Sequence, residues 1–107
     1  MKREVVIIPF PFSDLSGAKR RPALVIADWG GEDIILCQIT TKLKKDGFEV
    51  ELNNADFDNG KLPVESHIRP NKLFTASRNN ILSVAGKISK SKYDKVIEQI
   101  IKLITAQ

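Results

Sequence analysis

The chain has 107 residues, with 17 Lys and Arg against 13 Asp and Glu, a formal net charge of +4, and 42% hydrophobic residues. That length sets the expectation of one domain over residues 1–107, with a modest core that a second copy would help to cover, and no segment is polar enough to read as disordered. Runs such as VVII and IILC fall far short of the roughly 20 residues of a membrane helix and the start shows no signal-peptide pattern, so a cytoplasmic protein with no membrane partner is expected, while one cysteine and one histidine exclude an internal disulfide and argue against a metal cluster.

In chain order, EVVIIPF is β-branched and continuous and predicts a first strand, followed by PFPFSDLSGAKR, a long loop with Pro, Gly and an acidic and hydroxyl cluster. RPALVIAD resumes the extended pattern with Pro22 at its first position, and DWGGED supplies a Gly-Gly hairpin turn into DIILCQIT, so these two strands are expected to be antiparallel neighbours. TTKLKKDG reads as a basic turn, FEVEL as a half-buried strand by its alternation, and NNADFDNGKL as a polar loop. ESHIRPNKLF reads as a short extended piece broken by Pro70, and NNILSVAGKIS as a last strand closed by Gly86. From Ser89 the period changes: Tyr93, Val96, Ile97, Ile100, Ile101 and Ile104 recur at helical spacing, with Ser89 as the N-cap and Ile88 and Tyr93 as a hydrophobic staple. Five to seven short strands and one terminal helix predict a mainly β, α+β domain: a small barrel-like sheet with the helix packed against it.

The segments EVVIIPFPFSDLSGAKRRPALVIA, ILCQITTK and SHIRPNKLFT resemble the MazF/PemK toxin family in order and spacing, over nearly the whole chain. The most specific features are the opening strand, the Pro-Phe-Pro-Phe loop and the Arg-Pro pair heading the next strand. The resemblance implies an SH3-like barrel, a homodimer, cleavage of single-stranded RNA at short preferred sequences with no cofactor or metal, and neutralisation by a cognate antitoxin. A net positive charge is mild support for a polyanionic partner.

Metal-free RNA scission needs a group to take the 2'-hydroxyl proton, a cation to stabilise the phosphorane, and a proton for the departing 5'-oxygen. A guanidinium suits the second role, because its planar fork donates two hydrogen bonds and stays charged at any working pH. Arg21, which matches the family's arginine before proline, is the first candidate, and Pro22 stiffens the backbone beside it. Thr40 matches the family's hydroxyl at the end of the third strand and would orient a phosphate oxygen. His67 and Arg69 are two apart in an extended segment and share a face. Arg69 corresponds to a site arginine of PemK-like members. Some of those enzymes carry an acidic residue two positions later, where this chain has Asn71, which is no proton acceptor. His67 is therefore the candidate base, since an imidazole ordinarily titrates near about 6.5.

Around these four catalytic candidates, Lys19, Arg20, Thr41, Asn71, Phe12 and Asp14 are candidate RNA contacts. Each has a plainer reading: cations and threonines suit solvated strand ends, Phe10 and Phe12 suit core anchors, and Asp14 and Ser16 suit local turn caps. Trp29 in the hairpin turn serves either a partner or the turn itself. Two rival functions keep the same fold. CcdB-like toxins bind DNA gyrase through a Trp-Gly-Ile terminus, which IKLITAQ does not match, and a cleavage-deficient RNA- or antitoxin-binding module is the alternative that Asn71 keeps open.

Overall fold

In the computed structural model, which describes residues 1–10, 19–43 and 45–106, the extended runs form seven strands and the closing amphipathic stretch forms a helix. The strands are β1 Glu4–Phe10, β2 Lys19–Ala27, β3 Asp33–Thr40, β4 Val50–Leu52, β5 Phe57–Gly60, β6 Ser66–Ser77 and β7 Ser83–Ile88, and the helix α1 is Lys90–Thr105. All pairings are antiparallel, in one curled sheet of order β4-β6-β3-β2-β1-β7-β5.

Alternation along the strands loads both faces of this sheet. On one, Val5, Leu24, Cys37, Ile39, Leu52, Ile68 and Ile88 pack with Tyr93, Val96 and Ile100 of α1. On the other, Val6, Ile8, Phe10, Ala23, Val25, Ile34 and Leu36 gather, with Phe74 and Ile81 against them. A continuous apolar run such as ALVIA in β2 follows from this arrangement, because a central strand covered on both sides has no solvated face to make polar. Each fully buried Val, Leu or Ile contributes roughly 1.5–3 kcal/mol relative to exposure, so a central strand left bare on one side would be costly. Cys37 lies in the helix-covered layer, where burial pushes its thiol up and makes it a small hydrophobe rather than a nucleophile.

The helix starts where the sequence places it. Ser89 accepts the Lys92 N–H at 3.2 Å, and Ile88 and Tyr93 are both buried. Lys92 stands where a capping box would carry an acid, and its ammonium instead reaches the Glu51 carbonyl at 2.8 Å and Asp56 at 3.4 Å. The Tyr93 hydroxyl donates to the Ile26 carbonyl at 2.6 Å, which pins the helix to the edge of β2.

Four expectations are corrected. Pro22 is the fourth residue of β2, and the β2–β3 ladder begins one residue later at Ala23, where a missing N–H no longer matters. Pro70 does not break its segment: β6 runs twelve residues through it, because a bulge in the pairing with β3 absorbs residues 70–72. NNADFDNGKL is not all loop, since Asn53 and Asp56 cap a short 3-10 turn that leads straight into β5. Gly86 lies inside β7, facing Gly60 across the β5–β7 seam.

At the far end of the β2–β3 hairpin, Trp29 is 61% exposed. Beside it, Arg78 donates to Asp28 through both terminal nitrogens, at 2.5 and 3.2 Å, and through Nε to the Gly31 carbonyl at 2.8 Å. The Arg78 fork, helped by the Gly30 N–H, holds the Asp28 carboxyl well below the usual carboxylate range. A depressed folded-state value means the contribution is complete above the unfolded aspartate's value of about 3.9 and is lost as pH falls below it. Melting curves of wild type and Asp28→Asn should therefore differ by a constant Tm gap between about pH 5 and 8, closing at lower pH. A gap that persists unchanged in acid would remove the ion pair as its cause.

Candidate functional site

Strand register decides which side chains can meet. Ile8 pairs with Arg21 and Phe10 with Lys19, so Lys19 and Arg21 share one face and Arg20, opposite Pro9, takes the other. Ala23 and Gln38 form the last pair of the β2–β3 ladder, and continuing its register by two residues, back along β2 and forward along β3, brings Arg21 level with Thr40. Thr40 pairs with His67, His67 with Glu51, and Gln38 with Arg69. Directly opposed residues of antiparallel strands project to the same side. Arg21, Thr40, His67 and Glu51 thus form a row across four strands, with Gln38 and Arg69 one step behind it. Strands lie about 4.8 Å apart, so the backbones of Arg21 and His67 stand about 10 Å apart, a span that two side chains can close upon one phosphate group.

The members of the row differ in how far their charge and hydrogen-bonding capacity are already used. Arg21 is half-buried and makes no ion pair or side-chain hydrogen bond among the described residues. The Thr40 hydroxyl accepts the Lys42 N–H at 3.2 Å, which occupies a lone pair and leaves its own hydrogen to donate. His67 is half-buried at the same end of the sheet. Arg69 is already paired: its Nη2 donates to Asp46 Oδ2 at 2.9 Å, with 12% of the arginine and 27% of the aspartate side chain exposed. Asn71 Nδ2 donates to the same oxygen at 3.2 Å, and Asp46 Oδ1 accepts the Phe48 N–H at 3.1 Å. A hydrogen bond from Glu49, then those from Arg69, the Phe48 N–H and Asn71, hold the Asp46 carboxyl well below the usual carboxylate range. Arg69 Nε and Glu49 Oε2 are buried with no partner among the described residues.

This meeting of loop and strand depends on the bulge in β6. Pairing with β3 jumps from Cys37–Leu73 to Gln38–Arg69, and the skipped residues swing Asn71 toward the loop between β3 and β4. Asn71 therefore faces a carboxylate carried by another segment.

The remaining sequence candidates fall elsewhere. Thr41 lines an apolar depression with Ile7, Pro22, Leu62, Pro63, Val64 and Ser66, on the side of the sheet away from Thr40. Phe10 is buried and meets Phe74 edge-on, ring centroids 5.0 Å apart, as a core anchor. Phe12, Asp14 and Ser16 lie outside the described residues. The structure adds Gln38, Glu51 and Asp46 to the neighbourhood. Gln38 and Glu51 were open to a period-two reading from Thr40 and His67 through the pairing, whereas nothing local marks Asp46. Among the described residues no cluster of three or more His, Cys, Asp or Glu is placed to hold a metal ion, and no helix is long and apolar enough to cross a membrane.

A family model for the PemK-like, MazF-like toxin of type II toxin-antitoxin systems matches residues 1–104. A search of curated proteins finds no match. Among solved structures, the chain is similar to the Mycobacterium tuberculosis toxin MazF-mt6 (TM-score 0.78, 16% identity, 98% of this chain and 99% of that one). It is similar also to an endoribonuclease in complex with its cognate antitoxin from a mycobacterial species (0.79, 11%, 100% and 96%). A MazE-MazF structure from Deinococcus radiodurans gives 0.78 at 19% identity, covering 99% and 96%. At such identities these are likenesses of fold.

Proposed function

The chain belongs to the PemK-like, MazF-like toxin family of type II toxin-antitoxin systems, and from that premise we propose that it is a sequence-selective endoribonuclease that cuts single-stranded RNA without a metal ion. In this reading it acts in the cytoplasm as a homodimer and a cognate antitoxin holds it inactive, as the antitoxin-bound mycobacterial endoribonuclease of the same fold suggests. The observation that carries the proposal is the row in which an arginine with no counter-ion among the described residues, a hydroxyl whose hydrogen is unused among them and an imidazole share one sheet face.

The chemistry follows from those groups. His67 takes the proton of the 2'-hydroxyl as the O2'–P bond forms. Arg21 donates two hydrogen bonds to the non-bridging oxygens while charge builds on the phosphorane, and Thr40 donates a third. The P–O5' bond breaks, the 5'-oxygen takes a proton from solvent, and His67 returns its own to solvent. The products are a 2',3'-cyclic phosphate and a 5'-hydroxyl. Lys19, on the face of Arg21, guides the strand as a phosphate contact and carries no sequence information.

The test is incubation of the purified chain with long single-stranded RNA in excess EDTA, with the ends of the fragments mapped. Discrete cuts bearing cyclic-phosphate ends are expected, and His67→Ala should slow turnover at least about tenfold. RNA that is bound and left intact would transfer the chain to the class of binding modules. Wild-type rates in the histidine variant would remove His67 from the mechanism and leave the nuclease standing.

A further inference from the structure

We propose that Asp46 is the positioning residue for Arg69: its carboxylate, fixed on the loop between β3 and β4 and shared with Asn71, aims the guanidinium at the scissile phosphate. This rests on the nuclease reading above and concerns the same site.

A guanidinium has five N–H donors in one plane, and the bond to Asp46 uses a hydrogen of Nη2 alone. Nε is buried, so the hydrogens of Nη1 and the second hydrogen of Nη2, unused among the described residues, are the ones left for a phosphate, and an incoming strand joins the pair without having to break it. The anchor is itself anchored. Asp46 accepts from the backbone of Phe48 and from Asn71, so its carboxylate is held from the loop and from the β6 bulge at once. An arginine on a flexible stem, placed in this way, arrives at the phosphate with its orientation already chosen.

The alternative role, proton transfer, suits Asp46 poorly. A carboxyl held this firmly in its ionised form is a weak acceptor at neutral pH, where an efficient base needs a value close to the working pH. Its service is geometric and electrostatic. A second acid, Glu49, already stands beside Asp46, and Asn71 Nδ2 lies 3.2 Å from Asp46 Oδ2. A further acid at position 71 would add a like charge to that pair, while an exchange of residues 46 and 71 would leave the number of carboxylates and amides beside Arg69 unchanged.

That exchange supplies the experiment. Steady-state kcat and KM on a single-stranded RNA substrate are measured for the full chain and three variants, with thermal melts of each. Asp46→Asn should lower kcat about tenfold with KM within about twofold, the signature of lost orientation rather than lost binding. Asn71→Asp should also lower kcat, and the double variant Asp46→Asn with Asn71→Asp should recover to within about threefold of wild type. Wild-type kcat in Asp46→Asn overturns the proposal. So does a double variant no faster than the slower single one, or a loss of kcat that only follows a loss of Tm. A wild-type chain that cuts no RNA overturns the nuclease reading instead, and is seen before any variant is made.

Discussion

Replacing Arg21 with alanine should lower the rate of RNA cleavage by about 10²–10³-fold, the cost of removing one preorganised donor from a developing oxyanion. The same change should barely touch stability. Arg21 is half-buried, sits near the start of β2 and has no carboxylate or other side-chain partner among the described residues, so its loss orphans no described group. Surface changes of that kind usually stay within about 0.5 kcal/mol. Arg21→Lys should restore only part of the rate, since an ammonium keeps the charge and loses the bidentate fork. Single-turnover cleavage with a thermal melt of each variant decides it. A rate that survives Arg21→Ala, or one that falls only in step with Tm, would sink the role given to this residue. Arg69→Ala offers the contrast, because it strips Asp46 of a charged partner in a part-buried place and should cost both rate and stability.

What could be read from the chain and what could not divides along the range of the forces involved. The first three strands and the helix were legible because their signals are local: β-branched runs, a Gly-Gly turn, and apolar residues at helical spacing behind a serine cap. The expectation failed wherever a distant partner overrode the local signal. Pro70 ends a strand on its own account, yet β6 continues because β3 pairs with both sides of a bulge. Phe57–Gly60 looks like loop, yet it becomes β5 because β7 lends it hydrogen bonds and a capping turn delivers it in register.

The site divides in the same way. Arg21 and Thr40 stand near the ends of strands that the sequence displays, His67 stands near the start of one that it shows only as far as Pro70, and antiparallel pairing brings those ends together. Period two also separates Lys19 and Arg21 from Arg20, which composition alone treats as one basic run. Asp46 was out of reach of this reasoning. It follows two lysines in a loop, a setting that reads as solvated turn, and only the bulge of β6 brings Arg69 and Asn71 to its carboxylate. The acid that position 71 lacks in the chain is thus present in space, from a segment 25 residues away.

The largest loss of stability from a single methyl group should come from Gly60→Ala. Gly60 has φ of +77°, in the left-handed region, and a Cβ there would run into the Ala85 carbonyl and the Cα of Gly86. Both obstacles are backbone of the paired strand, so neither can swing aside as a side chain would. Left-handed strain costs about 1–2 kcal/mol, and parting β5 from β7 adds the Lys61 N–H bond to Ala85 and the packing of Phe57, for about 3 kcal/mol or more in total. Gly47→Ala is the control, because Gly47 also has positive φ, at +83°, but meets nothing within 4 Å. It should show the conformational cost alone, about 1–2 kcal/mol. Chemical denaturation of the two variants separates collision from strain by subtraction, and equal losses would mean that the seam is slack enough to admit a side chain. The seam matters beyond its own two strands. Asp56, one residue before β5, accepts the Ser89 N–H at 2.7 Å and pairs with Lys92, so prising β5 away loosens the start of α1 and the apolar layer it covers. The row of Arg21, Thr40 and His67 lies across β2, β3 and β6, on the other side of β1, so cleavage at a temperature where Gly60→Ala remains folded should proceed close to the wild-type rate.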